Sequence, residues 1–126
     1  MYNAGTSEHV EPFEDQYTCF KIADMCCKIG GIMIHSVPEI RNRDIRGTWI
    51  AHCRYYYSEK FFETLIKESN YEKILAEKTM TSVNYAFQKT VNSTFMKDKE
   101  LFLSNIAIRN ENRDFSQDSN YIYQAS

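Results

Sequence analysis

Between Gly30-Gly31 and Pro38 the chain reads Ile-Met-Ile-His-Ser-Val. A short apolar run, rich in β-branched residues and bounded by breakers, predicts a buried strand. Past the charged loop "PEIRNRDIRG", Trp49, Cys53, Tyr57, Phe61 and Leu65 recur at every fourth position behind Thr48. That stripe predicts a long amphipathic helix with Thr48 as its N-cap. Ser69 and Glu72 have the spacing of a capping box, and Tyr71, Leu75, Thr79, Val83 and Phe87 continue the pattern, predicting a second helix. "STFMK" and "ELFLSNIAI" predict two short strands. Residues 1–27 show no sustained period and predict a flexible leader that becomes ordered near "YTCFKIADMCC"; residues 109–126 predict a flexible tail. The folded part, residues 28–108, is expected to be α/β, a few-stranded sheet with two long helices on one face. Such a unit leaves a strand edge open and is expected to be incomplete without a partner.

Composition narrows the setting. The chain has 126 residues, 43% hydrophobic, 25% charged, with a formal net charge of −2. It can bury a core, but its lysines and arginines are scattered among acidic residues. Binding to nucleic acid or an anionic membrane, which needs a basic face, is not expected. No apolar run approaches the roughly 20 residues that span a bilayer, and the acidic start is unlike a signal peptide, so a cytoplasmic location is expected.

The cysteines Cys19, Cys26, Cys27 and Cys53 include no C-x-x-C pair. They predict neither a disulfide framework nor a metal site, and no cofactor is expected. "IAHCRYYY" brings Cys53 close to the Ala-Cys-Arg pattern around a protease nucleophile. On the predicted helix, however, Cys53 shares the core stripe, and His52 lies about 100° away around the axis. Cys53 is therefore read as structural, and His35 as a histidine at a strand end or under a loop. Glu59 and Glu63, four apart among lysines, read as a solvated face. Gly30-Gly31 lacks the rest of a phosphate loop. The residues alone predict no catalytic site.

In their order, "IMIHS", Arg41-Asn42, Gly47-Thr48-Trp49, Cys53, "MTSVN" and "STFMKDKEL" resemble the small subunit of caspases over about Ile32 to Leu103. The resemblance implies a stand-alone, catalytically silent small-subunit homologue, because in that family the large subunit supplies the catalytic Cys and His. Arg41 and Trp49 would then be remnants of the substrate cleft. Ile32, Met33 and Ile34 would form one partner-binding strand, and Thr94, Phe95 and Met96 the other. The implied partner is a caspase zymogen or a caspase large subunit, with a weak homodimer as a further arrangement. The implied function is inhibition of caspase autoactivation, and so of apoptosis. The alternative is the small subunit of an active aspartate-directed protease assembled with a separate large subunit.

Overall fold

A computed structural model of the chain describes residues 2–4, 7–39, 55–79, 82–109 and 122–123. Its main sheet has four strands in the order β1-β2-β5-β4. These are β1 (Tyr2–Ala4), β2 (Ile32–Pro38), β4 (Glu72–Lys78) and β5 (Ser82–Gln88). β1 runs parallel to β2, while β2–β5 and β4–β5 are antiparallel. A second, three-stranded sheet joins β3 (Tyr55–Tyr56), β6 (Ala107–Arg109) and β7 (Ile122–Tyr123). The helices are α1 (Asp15–Cys26), α2 (Glu59–Ser69) and the short α3 (Lys99–Ser104). The fold is thus mixed α/β.

β2 forms as its composition predicts, and its alternation decides what faces the helices. Met33, His35 and Val37 are buried, whereas Ile32 and Ile34 are exposed on the opposite face. Val83, Tyr85 and Phe87 of β5 share the buried face. Against it pack Phe20 from α1, Phe61 and Phe62 from α2, and Phe102 from α3, ring against ring. His35 is stacked between Phe20 and Phe87, with centroids at 4.9 and 5.4 Å. Each fully buried phenylalanine contributes roughly 1.5–3 kcal/mol of apolar burial, so this aromatic layer dominates the core.

Several expectations are corrected. The helix expected from Thr48 begins at Glu59, since Tyr55–Tyr56 are strand and pair with Ile108 and Ala107. Ser58 is its N-cap, accepting from the Phe61 amide at 3.2 Å. The helix expected from Ser69 is instead the β4–β5 hairpin. α2 ends at Asn70, in the left-handed conformation at φ 58°, so the chain turns away there. The Ser69 hydroxyl does not start a helix; it accepts the Met96 amide at 2.9 Å. Thr79 and Ser82 then close the hairpin through paired backbone and hydroxyl contacts.

"STFMK" is an irregular segment, and the first part of "ELFLSNIAI" is α3, capped by Asp98. Two helices of similar length do lie on one sheet face, but they are α1 and α2. Within the expected leader, residues 2–4 are a strand and residues 15–26 a helix. In the expected tail, Ile122–Tyr123 pairs with β6. Arg41, Trp49, His52 and Cys53 lie outside the described residues.

Candidate functional site

The sequence-predicted binding strands are not brought together. Ile32, Met33 and Ile34 sit in β2, inside the sheet between β1 and β5. Thr94, Phe95 and Met96 are in no strand: the Thr94 amide donates to the Ser69 carbonyl at 2.9 Å, and the Met96 carbonyl accepts from the Tyr17 hydroxyl at 2.8 Å. Phe95 and Met96 are core residues, with Phe95 packed edge-on against Tyr17. A segment held this way offers no edge for a dimer.

Among the described residues, the sheet ends instead at β1 and β4. Beside β1, between it and α1, lies a cleft of about 180 Å³. Tyr2, Asn3, Cys19, Phe20, Ile22, Ala23 and His35 line it. Its volume is below the roughly 300 Å³ at which small-molecule sites begin, and suits one or two apolar side chains. Two large apolar residues of its lining, Tyr2 (68%) and Ile22 (52%), are exposed, and Met25 (70%) is exposed one turn further along α1. Local sequence explains the placement. Gln16, Phe20 and Asp24 give α1 a buried stripe four residues apart, leaving Ile22 and Met25 outward. The Gly30-Gly31 turn brings β2 back under α1; Gly30 has φ +88°, and a Cβ on Gly31 would lie 2.9 Å from Cys27 Sγ.

At the floor of the cleft both ends of the Asn3 amide are engaged. Asn3 Oδ1 accepts the Ser7 amide at 3.2 Å, which leaves Nδ2 to donate. Nδ2 lies 2.9 Å from Ser7 Oγ and 3.0 Å from His35 Nδ1. His35 Nδ1 is accordingly an unprotonated acceptor and the ring is neutral, with its proton on Nε2. Burial drives the His35 pKa down to about 3. Ser7 continues the network: Tyr57 Oη is 3.1 Å from its hydroxyl and also bonds Gln16 Oε1, while Gln16 Nε2 donates to the carbonyls of Ser7 and Val10.

Cys19 and His35 share this cleft but are not a nucleophilic couple. Burial pushes the Cys19 thiol pKa up, the direction opposite to an activated thiolate. The imidazole nitrogen that would take a proton faces Asn3. Ser7 is wholly buried, out of reach of a substrate. Among the described residues no group of three or more His, Cys, Asp and Glu is placed to hold a metal, and no helix is long and apolar enough to cross a membrane. The arrangement therefore suits recognition of an apolar side chain beside a backbone edge. Sequence reasoning missed it because Tyr2, Asn3, Cys19 and Ile22 fell in the expected leader. The signal present was the set of large apolar residues Ile22, Met25 and Ile29, at spacings of three and four.

Compared with models of protein families, with characterised proteins and with solved structures, the chain matches none.

Proposed function

We propose that this chain is a non-catalytic binding module that receives an extended segment of a partner protein at the β1 side of its main sheet. One observation carries the reading: a short outer strand stands beside an apolar cleft whose lining includes the exposed Tyr2 and Ile22. Exposed apolar side chains gathered at a cleft mark interaction sites. Backbone pairing at a strand edge supplies affinity and the cleft supplies selectivity. In this reading the partner completes the sheet.

The partner class we favour is a caspase zymogen in the cytoplasm, whose self-activation the bound chain would hold back, making it a negative regulator of apoptosis. Support for that partner is confined to the residue pattern shared with caspase small subunits, chiefly "IMIHS", Arg41-Asn42 and Gly47-Thr48-Trp49. Of the matching "MTSVN", residues 82–84 lie in strand β5 here, where the family has a helix. The test is to add the purified chain in stoichiometric excess to a self-processing procaspase and follow cleavage over time. Slower processing, lost with Ile22→Asp, is expected. Unchanged processing removes caspases as partner, and new aspartate-directed cleavage on mixing with a large subunit would replace the inhibitor with half of an enzyme.

A further inference from the structure

We propose that β1 is an internal stand-in for the partner's strand, and that the partner binds by taking its place beside β2. This rests on the reading of the β1 side as the binding edge, and it specifies how the incoming segment is held and what side chains it needs.

The attachment of β1 is slight compared with that of its neighbour. β5 pairs with all seven residues of β2, whereas β1 pairs only with Ile34, His35 and Ser36. Tyr2 is largely exposed, so the side chain that anchors the strand is Asn3, through Ser7 and His35. The cleft of about 180 Å³ lies along this strand, between it and Cys19, Phe20, Ile22 and Ala23 of α1. β1 thus fills only part of a groove between α1 and β2.

A segment that replaced β1 would keep its backbone ladder, parallel to β2, and would meet the same floor. With Nδ1 of His35 as the acceptor, the side-chain amide of an asparagine in Asn3's place would donate to it as Asn3 does. Residues two apart share a face of a strand. An apolar residue two positions from that asparagine would therefore point toward the same side and fill the cleft. The partner segment is of the form apolar-x-Asn or Asn-x-apolar, extended and continuing beyond the three residues that β1 contributes.

The exchange is testable without any caspase. The probes are fluorescein-labelled peptides copying residues 1–9 of this chain, one native and one carrying Gly5→Leu. Three full-length proteins are compared by fluorescence anisotropy: the native chain, Asn3→Ala, and a Tyr2→Cys/Ile34→Cys chain. Tyr2 and Ile34 are register partners in adjacent strands, within disulfide reach. The cross-link is verified by mass spectrometry.

Asn3→Ala, which loosens the chain's own strand, is expected to bind the peptides at least tenfold more tightly than the native chain, with the Gly5→Leu peptide ahead of the native one. The oxidised double-cysteine chain is expected to bind neither until reduced. Equal binding by the oxidised and reduced forms, or no peptide binding by Asn3→Ala, overturns the proposal. Intact peptide exchange with unaltered zymogen processing would remove the caspase partner alone. Slowed processing by the cross-linked chain would keep the binding edge and remove the exchange.

Discussion

β4 and β1 flank the same sheet, yet their surroundings differ in every respect that governs pairing. All seven residues of β4 are exposed; Glu72, Lys73, Glu77 and Lys78 surround its short apolar centre, and its register with β5 shifts between Lys73 and Leu75. Charges and a bulge are the devices that keep an edge from recruiting another strand. β1 borders an apolar cleft and presents Tyr2, with Ile22 and Ile34 close by. The core behind the two edges differs as well. Phe20, under β1, contacts His35, Tyr57, Phe61, Phe62 and Phe102, whereas β4 is tied to α2 by surface ion pairs, Lys73–Glu63 at 3.0 Å and Lys78–Glu59 at 3.7 Å. A sheet with one guarded edge and one receptive edge can take a partner in a defined orientation without forming open-ended chains.

The largest effect should come from the aromatic layer. Phe20→Ala is expected to cost ~3–5 kcal/mol in urea denaturation. Leu75→Ala, on the exposed β4, should cost under about 1 kcal/mol. Equal losses would mean that the two sides are not built differently.

Acid comes next. The His35 pKa is about 3 in the folded chain, against an ordinary value of 6.5. Above pH 6.5 both folded and unfolded forms are neutral and the residue contributes no pH dependence. As pH falls below that value the unfolded chain takes up a proton that the folded chain refuses. His35 should then lower stability by up to ~1.4 kcal/mol per pH unit, until the folded pKa near 3 is reached. His35→Phe should remove this part of the slope. An unchanged slope in thermal or urea titrations between pH 6.5 and 4 would show that the Asn3 attachment does not depend on a neutral ring.

Removing the guards from β4 should change association more than stability. Lys73→Val with Lys78→Val breaks two exposed ion pairs, each worth at most about 1 kcal/mol. Light scattering should nevertheless detect stronger concentration-dependent self-association than in the native chain. A doubly substituted chain that stays monomeric would show that the bulge alone protects the edge.

The smallest stability effect should be that of Ile22→Asp. Half exposed, it should stay within about 0.5 kcal/mol of the native chain while losing partner binding. Retained binding would place the receptive surface elsewhere than beside β1.

Part of this architecture was legible in the residues. "IMIHSV", enclosed by Gly30-Gly31 and Pro38, could be little other than a strand, and it is β2. Phe61 and Leu65 correctly marked an apolar face of α2. The two stretches read as helix but found as strand share one ambiguity. A spacing of four satisfies the helix period and is also a multiple of the strand period. Leu75, Thr79, Val83 and Phe87 therefore fit either template. Tyr85, buried between Val83 and Phe87, carries the alternation that belongs to a strand. β4 itself is exposed throughout, so it had no inside–outside pattern to read. Likewise, Tyr57 fitted the stripe behind Trp49, but Tyr55 and Tyr56 were drawn into a strand by residues more than 50 positions away.

By itself, then, the sequence determined a small mixed α/β chain, its central strand and the aromatic side chains of its core, because apolar pattern and local breakers act over a few residues. Which helix covered the sheet, which strands lay at its edges, and that Asn3, Cys19, Ile22 and His35 would surround one cleft were decided only in three dimensions. Those relations depend on pairing between residues far apart in the chain, where each local pattern admits more than one partner and only the combined burial of the aromatic layer selects among them.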